Sequence, residues 1–532
     1  MTNRPETRSA SIVLLAEVAG AALIIDSRTM RSVVGLLLVF GCSSPQRESP
    51  PDASREWRSA LYPAEWSPAF TDDAGRFLHD FSYAGFEGGA APPTAAPTIT
   101  LEAPSGDATA LLQGALDDGG VVLLAAGTWR VDGTLTISKP NVVLRGSGAG
   151  TVLVFTKSSS LEFGQNVTIG AAPIFGVEAP ILRDTPSRAM RVELGTLDGG
   201  ALQPGDDIVI GHVITPEFIA SHGMTGTWRA FNDTWQPIAW RTITAVEGSN
   251  VTLDVPLRSP LLLRDRPSLR RVTHPVHHVG IESLAFTNAV ERSAALAMNQ
   301  VSVFHFTGVK DAWVREVHSL SLDGGAHVQS GGIRVHQSKR VTVMNSSIGR
   351  AQHRGSGGNG YLFEVRQSNE VLFRDCDARD GRHNFIQNWG FGVSGCVWQR
   401  VSSAGGTAEN GFGLEARGVS EFHHSLATGN LIEDSVFDDG FAIVNRGQES
   451  TGAGHTGTEN VFWNVRGAGV LRSMQLGHGF VIGTEGLTIE TRDLFLLGHT
   501  GTEPFDWVEG VDAGSTLTPR SLFDDQRARR GR

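Results

Sequence analysis

Cysteine is scarce in this chain of 532 residues, which contains only Cys42, Cys376 and Cys396. The last two fall in different inward positions of neighbouring repeats, so we expect buried free thiols rather than a disulfide. No cysteines and histidines have the spacing of a zinc site. Neither disulfides nor a structural zinc ion are therefore expected to hold the fold together.

Charged residues are also few, at 19% of the chain, and the formal net charge is −11. Because no basic domain emerges, we expect no nucleic-acid partner. An anionic polysaccharide is still compatible with this acidity, since local arginine clusters can override the overall charge.

Glycine, in contrast, is abundant, with 64 residues, and a short template of apolar or small residues recurs seven times between about residues 276 and 466. The first copy places Val279, Ile281, Leu284 and Phe286 at offsets 0, 2, 5 and 7. The copies start at Val279, Ala312, Val341, Val371, Cys396, Asn430 and Val461, so successive starts are 25 to 34 residues apart. Short strands that return at such spacing, with glycine-rich turns, are typical of a solenoid.

The repeat predicts a parallel β-helix. A pair of alternating apolar residues is a short strand with one buried face, and the two-residue gap before the next pair is a bend. A second strand-like run follows within most repeats: "GIRVHQS", "YLFEVRQS", "HNFIQNW", "FGLEARG" and "FAIVNRG". Leucine-rich repeats are disfavoured because no regular Leu-x-x-Leu-x-Leu pattern is present, and helical repeats because a 3.6-residue period is missing.

Residues 78 to 158 carry a second signal. "HDFSYAGFEGG" is followed by Asp107 as a helix N-cap, a helix from Ala108 to Leu116, the pair Gly119-Gly120 and the run "NVVLRGSG". This order resembles the opening of the pectate-lyase superfamily of β-helix proteins. The resemblance implies an all-β, right-handed parallel β-helix with an N-terminal capping helix, and an activity on polysaccharide.

The segment from Met30 to Cys42, "MRSVVGLLLVFGC", resembles a bacterial lipoprotein signal. Its apolar run from Val33 to Phe40 is too short to span a bilayer, and an ordinary buried helix is the alternative interpretation. The resemblance implies lipidation of Cys42 and a place in the cell envelope, as an outer-membrane lipoprotein or a secreted protein. We expect a monomer that contacts a membrane only through this lipid anchor.

These patterns divide the chain into four parts. Residues 1–42 form an upstream segment with the signal peptide, and residues 43–77 form a disordered tether because they are rich in serine, proline and charge. The β-helix extends over residues 78–515, with a β-rich insertion at about 159–275, where the repeat spacing fails. Residues 516–532 form a C-terminal tail, which we expect to be disordered.

The insertion holds Trp228, Trp235 and Trp240 in a stretch rich in glycine and polar residues. Such a group could form a wall on which sugars stack over a groove. Alternatively, the rings fix a long loop onto the β-helix, since large aromatic side chains are usually buried. Both interpretations stay open from the sequence.

Polar loops follow the template strands on four successive repeats, so they should project from one side of the solenoid. The catalytic candidates on these loops and on the strands after them are Asp380, Arg382, His383, Glu415 and Arg417. The candidates for substrate binding, besides the three tryptophans, are His353, Arg354, Glu364, Arg366 and Asn388. Within this scheme Glu415 and Arg417 stack above Gln387 and Asn388. Each residue taken singly also fits an ordinary cross-strand ion pair or turn.

The resemblance to the pectate-lyase superfamily, together with arginine, histidine and glutamate on loops of one side, implies a lyase that cleaves a uronic-acid-containing polysaccharide by β-elimination. An arginine neutralises the uronate carboxylate, a base such as His383 removes the C5 proton, and an acid assists the leaving oxygen. A carboxylate pair could also hold Ca²⁺. Two alternatives stay open: glycoside hydrolysis, which needs two carboxyl groups about 5–9.5 Å apart, and a non-catalytic scaffold that binds glycan.

Overall fold

The computed structural model describes residues 56–197, 200–409, 415–493 and 500–531. Cys42 and the lipoprotein signal lie outside the described residues, so lipidation, the lipid anchor and a place in the cell envelope stay predictions. Within the described ranges, no helix combines the length and the apolar character needed to cross a membrane.

The described residues form the right-handed parallel β-helix that the repeat predicts. Strands of successive turns pair in parallel in two large sheets, and connections between parallel strands are nearly always right-handed. The template frames stack in register, since Val279 pairs with Ala312, and Ala312 with Val341. Cys376 and Cys396 are buried free thiols inside this stack, as predicted.

One face of the solenoid is a sheet of ten parallel strands, which we call the site sheet. Its strands are Leu135–Ile137, Gln165–Gly170, Ser302–Thr307, Gly331–His336, Tyr361–Arg366, His383–Gln387, Ser420–Phe422, Phe441–Ile443, Val470–Ser473 and Thr488–Glu490. Four of these ten strands coincide with second runs of the repeats, namely "GIRVHQS", "YLFEVRQS", "HNFIQNW" and "FAIVNRG", and one side of each contributes to the hydrophobic core.

The remaining faces belong to a larger sheet of eighteen strands, which most turns cross twice. Its strands are Ile99–Leu101, Val121–Leu124, Gly127–Val131, Val143–Gly146, Thr151–Phe155, Val276–Asn288, Val309–Ser319, Lys339–Met344, Ser347–Gly349, Leu372–Arg374, Asp377–Arg379, Val397–Gln399, Ser402–Ala404, Leu431–Glu433, Val436–Phe437, Val461–Arg466, Phe480–Glu485 and Trp507–Glu509.

The bend between the two crossings is made by a residue with left-handed backbone. At this position Asn345, Asp375 and Asp434 have φ values of 49°, 54° and 44°, and asparagine and aspartate tolerate this conformation better than most residues. The next side chain points inward, and Ser346 Oγ accepts a hydrogen bond from the backbone N–H of Val317 at 3.2 Å. Serine therefore serves as well as an apolar residue at that offset of the template.

A helix from Thr109 to Asp118 lies at the N-terminal end, as predicted for a cap, although its N-cap residue is Ala108 rather than the predicted Asp107. Asp107 Oδ1 accepts hydrogen bonds from the backbone N–H groups of Thr109 and Asp132, both at 3.0 Å. Leu112 is fully buried in the same core as the first strands. The helix thus covers strand ends that would otherwise be open to pairing with other chains.

The prediction of a disordered tether is wrong for residues 56–77, and so is that of a disordered C-terminal tail. The described tail contains the helix Leu522–Arg529, and the phenol of Tyr62 donates to Asp525 Oδ2 at 2.6 Å. Both segments bury aromatic side chains in one shared cluster, and this burial orders them despite their polar composition. That cluster includes Tyr62, Trp66, Leu78, Phe81, Trp463, Leu522 and Phe523.

The insertion is an antiparallel sheet with its own apolar core. It begins after Gly170 rather than near residue 159, because Gln165–Gly170 still pairs with Ser302–Thr307. Its strands are Ile174–Pro180, Arg191–Glu193, Asp207–Val213, Trp235–Glu247, Asn250–Leu253 and Ser268–Thr273. The other short elements are the strands Thr407–Glu409, Glu415–Arg417, Ala427–Thr428 and Gly457–Thr458, the α-helices Pro216–Ser221, Arg292–Leu296 and Glu449–Gly452, and the 3₁₀ helices Phe86–Gly88, Arg229–Phe231, Leu263–Asp265 and Gly514–Thr516.

Candidate functional site

An open cleft of about 490 Å³ lies on the outer face of the site sheet. Parallel register aligns three neighbouring strands next to the cleft, because Glu364 pairs with Ile386, and Ile386 with Glu421. Residues at the ends of these strands and in the adjoining loops form its wall. The side chains that matter most there are Phe163, Tyr361, Arg366, Arg382, Asn388, Trp389 and His423.

Next to the cleft, one buried carboxylate is bound by two arginines. Arg334 Nε donates to Glu364 Oε2 at 2.6 Å, and Arg366 Nε donates to Glu364 Oε1 at 2.5 Å. Asn388 Nδ2 donates to Glu364 Oε1 at 2.8 Å. Burial alone would raise the pKa of Glu364, but the two guanidiniums outweigh burial and hold that pKa well below its ordinary value. The group therefore carries one net positive charge.

A second buried group consists of His383, Glu421, His423 and Arg446. His383 Nδ1 donates to the carbonyl oxygen of Val419 at 2.7 Å, and His383 Nε2 lies 3.4 Å from Glu421 Oε1. His423 Nδ1 contacts the same carboxylate oxygen and accepts from Arg446 Nη1 at 2.6 Å. Burial lowers the pKa of His383, and it lowers the pKa of His423 to about 3. Both imidazoles are therefore neutral near pH 7.

Glu421 stays ionised within this group. Burial would raise its pKa, but His383 and His423, which would be charged at the low pH where Glu421 protonates, and the Arg446 guanidinium hold the pKa well below its ordinary value. Arg446 also binds Glu449 Oε2 at 3.0 Å, so its guanidinium is shared between a buried and an exposed carboxylate.

Two polar groups of the cleft wall remain available to a ligand. The hydroxyl of Tyr361 makes no hydrogen bond with any residue that the structure describes. Burial raises the pKa of Tyr361 to about 12, whereas Arg382 acts in the opposite direction. Arg382 donates from Nη1 to the carbonyl oxygen of Gly355 at 2.8 Å, and it forms no ion pair with a carboxylate of the described residues.

Exposed aromatic rings border the same cleft. Trp389 is 42% exposed and stacks on His424, with ring centroids 4.7 Å apart. Phe163 is 61% exposed and also lines the cleft. Exposed apolar faces beside polar groups are typical of ligand-binding grooves.

The tryptophans of the insertion do not form the predicted sugar-stacking wall. Trp228 and Trp240 are fully buried, and their indole N–H groups donate to the carbonyl oxygens of Ala453 and Gln367 at 2.7 and 2.8 Å. Trp235 is half-buried, and none of the three lines the cleft. The wall hypothesis is wrong because Trp228 and Trp240 instead fix the insertion onto the β-helix, as the alternative interpretation predicts.

Glu415 and Arg417 do not stack on the site sheet as predicted. The strand that holds them pairs antiparallel with Thr407–Glu409 in a separate hairpin. The strand that follows in the site sheet is Ser420–Phe422, which brings Glu421 beside Ile386. "FGLEARG" alternates in the same way as a sheet strand, so periodicity alone could not distinguish this hairpin from a turn of the solenoid.

Three other candidates lie outside the cleft. Arg354 and Asp380 line a separate open cleft of about 610 Å³, and Arg354 Nη2 lies 3.3 Å from Glu409 Oε1. His353 is buried, and its Nδ1 accepts from the backbone N–H of Gly355 at 3.2 Å. The residues predicted to share one groove are therefore divided between two clefts.

The structure brings together Arg366, Arg382 and Asn388 on the cleft wall, while the buried His383 and Glu364 lie outside its lining. Sequence reasoning missed three neighbours of these residues: Tyr361, Glu421 and His423. The run "SEFHH" at 420–424 carried a signal, because it concentrates one acid and two histidines in five residues. It begins outside the template frame, and only the strand register places it beside His383.

Comparisons with known proteins assign no family to the chain. No protein-family model matches it, and no curated protein sequence matches it. Among solved structures, the tailspike protein gp49 from Pseudomonas phage LKA1 is similar at 13% identity and a TM-score of 0.35, over 77% of this chain and 71% of the tailspike.

Two bacterial proteins of known structure show comparable similarity. The A-module of the Azotobacter vinelandii mannuronan C-5 epimerase AlgE4 is 13% identical, with a TM-score of 0.27 over 77% of this chain and 85% of the module. The catalytic unit of a thermostable α-1,3-glucanase from Streptomyces thermodiastaticus is 12% identical, with a TM-score of 0.32 over 82% of this chain and 72% of that unit. Similarity this distant does not assign an activity.

Proposed function

We propose that the protein cleaves a uronic-acid-containing polysaccharide by β-elimination in the cleft on the site sheet. One observation carries the proposal: Arg382 and Tyr361 lie on the same wall of the cleft. Among the described residues, Arg382 forms no ion pair with a carboxylate, and the Tyr361 hydroxyl makes no hydrogen bond. The neighbouring group of Arg334, Glu364 and Arg366 adds a net positive charge. An anionic polymer is the ligand that this local charge favours.

Each step of the elimination has a candidate group. The Arg382 guanidinium binds the uronate carboxylate and stabilises the negative charge that develops there when the C5 proton leaves. Tyr361 takes that proton as the phenolate, which forms by loss of the hydroxyl proton to solvent and is favoured by the nearby Arg382 charge, and the regenerated hydroxyl then delivers the proton to the departing oxygen. The electron pair of the C5–H bond becomes the C4–C5 double bond as the C4–O bond breaks. The oxygen leaves with the neighbouring sugar as its new reducing end.

The state of the carboxylates favours elimination over glycoside hydrolysis. Hydrolysis needs one protonated carboxyl group with a second about 5–9.5 Å away. Glu364 and Glu421, which contact Asn388 and His423 of the cleft lining, both have lowered pKa values because arginines and other donors contact them. A carboxylate held ionised cannot serve as the general acid.

The test is a panel of alginate, pectate and glycosaminoglycans incubated with the full chain. We expect ultraviolet absorbance from the new conjugated double bond with at least one polymer. Tyr361→Phe should lower that rate by about 10²-fold or more, as expected for loss of a proton-transfer group. Tyr83→Phe is the matched control, because Tyr83 is also buried but lies under the guanidinium of Arg530, 3.6 Å from its ring centroid.

The panel also separates the alternatives. Reducing ends without new absorbance indicate a glycoside hydrolase, and saturable binding without either product indicates a glycan-binding scaffold. Full activity of Tyr361→Phe would show that the proton-transfer role is wrong even if a lyase activity is present.

A further inference from the structure

The buried group of His383, Glu421 and His423 has the composition of a metal site. Its three potential ligand atoms all lie within 4.8 Å of one another. Each residue is more than nine-tenths buried, with 7%, 8% and 7% of its surface exposed. Parallel register brings them together, since His383 belongs to one strand of the site sheet, Glu421 to the next, and His423 directly follows that next strand.

The orientation of His383 gives an independent reason for a cation. A carbonyl oxygen can only accept, so the 2.7 Å contact with Val419 assigns the proton to Nδ1 and leaves a lone pair on Nε2. That Nε2 atom is buried and has no hydrogen-bond partner among the residues that the structure describes. It faces Glu421 Oε1, another acceptor, at 3.4 Å. Two buried acceptors in this arrangement repel one another unless a cation lies between them.

The spacing of His383 Nε2 and Glu421 Oε1 also fits a metal ion. Imidazole nitrogen and carboxylate oxygen bind transition metals at about 2.1 Å, so atoms 3.4 Å apart would subtend roughly 108° at the ion. This angle is close to tetrahedral. The hydrogen bond from His383 Nδ1 to Val419 is the contact by which proteins orient a metal-binding imidazole.

We propose that His383, Glu421 and His423 bind one divalent transition-metal ion. Two imidazoles and one carboxylate suit Zn²⁺, Fe²⁺, Co²⁺ or Ni²⁺, whereas Ca²⁺ and Mg²⁺ prefer a set made only of oxygen ligands. Three protein ligands leave at least one coordination position open. His423 lines the cleft, so that position adjoins the space proposed for the polysaccharide.

Arg446 is the competitor of the ion. Its Nη1 donates to His423 Nδ1 at 2.6 Å and lies 3.8 Å from Glu421 Oε1. The guanidinium therefore already neutralises part of the negative charge of Glu421 that would otherwise attract a metal ion. Arg446 is also bound to Glu449 at 3.0 Å. On metal binding we expect it to keep Glu449 and to release His423.

The test is metal binding by the full chain in the absence of polysaccharide, so its result is separate from that of the lyase proposal. After treatment with chelator, the protein is titrated with Zn²⁺ and with Co²⁺, and bound metal is counted by elemental analysis. We expect one ion per chain and visible Co²⁺ bands typical of mixed nitrogen and oxygen ligands. Glu421→Gln, which keeps the shape of the side chain, and His383→Ala should each weaken binding by at least about tenfold, the smallest loss usual even for residues that only support ligands.

Two further variants make the result decisive. His318→Gln removes a half-buried histidine on the larger sheet that contacts Ser347, so binding should be unchanged. Arg446→Gln removes the competing cation, so binding should become tighter. Circular dichroism of each variant shows whether it is folded. The proposal is overturned if the wild type retains no stoichiometric metal, or if Glu421→Gln and His383→Ala, both folded, bind as tightly as the wild type. Either result would mean that His383 and Glu421 are held together by a shared proton and not by a metal ion.

Discussion

At the scale of single residues, the charges near the cleft fall into two kinds. Arg334 and Arg366 are bound to the buried Glu364, so they stabilise the outer face of the site sheet. Arg382 has no such partner among the described residues and lines the cleft wall. Buried ion pairs of the first kind cost much when one partner is removed, whereas the second kind is free to bind a ligand.

Replacing Glu364 tests the structural kind of charge. Glu364→Gln should lower the free energy of unfolding by about 3 kcal/mol at pH 7, because the buried Arg334 and the half-buried Arg366 both lose their anionic partner. The pKa of Glu364 is lowered in the folded state, so its stabilisation is present above the unfolded pKa of about 4.3 and is lost as pH falls towards the folded pKa. The difference between wild type and variant should therefore shrink at pH 3. Denaturant titrations at both pH values measure it.

The control for this experiment is Glu485→Gln, which alters an exposed carboxylate and should leave stability within about 0.5 kcal/mol of the wild type. A Glu364→Gln difference that is equally large at pH 7 and pH 3 would contradict the assignment of an ionised Glu364.

Replacing Trp389 tests the aromatic border of the cleft. Trp389→Ala should weaken binding of the polysaccharide that the panel identifies by roughly fivefold, because an exposed ring that stacks on a sugar contributes about 1 kcal/mol. Trp235→Ala removes an indole of the insertion that lies outside the cleft, and it should not change affinity. Calorimetric titration of both variants measures the effect; equal affinities would show that Trp389 does not contact the ligand.

At the scale of elements, part of the outer face of the larger sheet is covered by segments that look unstructured in sequence. Residues from 56 onward and the helix Leu522–Arg529 share one apolar cluster with the late turns of the larger sheet. Glu433 ties the helix to that sheet, since its Oε2 accepts hydrogen bonds from the backbone N–H groups of Leu522 and Phe523 at 2.7 and 3.1 Å. A few buried aromatic side chains thus order segments whose overall composition is polar.

Truncating one of these side chains tests the cover. Phe523→Ala should lower the free energy of unfolding by about 3–5 kcal/mol, because the ring is fully buried and its loss leaves a cavity. It should also expose the C-terminus to proteases. Val511→Ala, which shortens a side chain that is 42% exposed, is the control and should have little effect. Unchanged unfolding of Phe523→Ala would mean that the helix is not part of the cooperative fold.

At the scale of the whole molecule, the solenoid places equivalent residues of successive turns directly beside one another. The same outward column of the site sheet holds His305, Arg334, Glu364, Ile386 and Glu421 on successive strands. The insertion is fastened beside this column by the buried indoles of Trp228 and Trp240. The cleft is therefore a property of several turns together, and no single repeat contains it.

The sequence by itself determined the fold, because a solenoid repeats one local pattern and each copy supplies the same apolar, bend and glycine positions. The free buried thiols and the cleft residues Arg366, Arg382 and Asn388 follow from that pattern, and the capping helix follows from the separate signal at residues 78–158. It also indicated His383 as an ionisable group at the site sheet, although not its burial outside the cleft lining.

Only the tertiary structure decided which outward residues meet. "FGLEARG" and "SEFHH" both look like the next strand, and pairing with His383–Gln387 selects the second, which places Glu421 and His423 rather than Glu415 and Arg417 beside the cleft. The burial of Trp228 and Trp240, and the ordering of residues 56–77 and of the C-terminal helix, were decided in the same way. Periodicity specifies which face of a strand is buried, but contacts between segments far apart in the chain depend on long-range packing that no local pattern encodes.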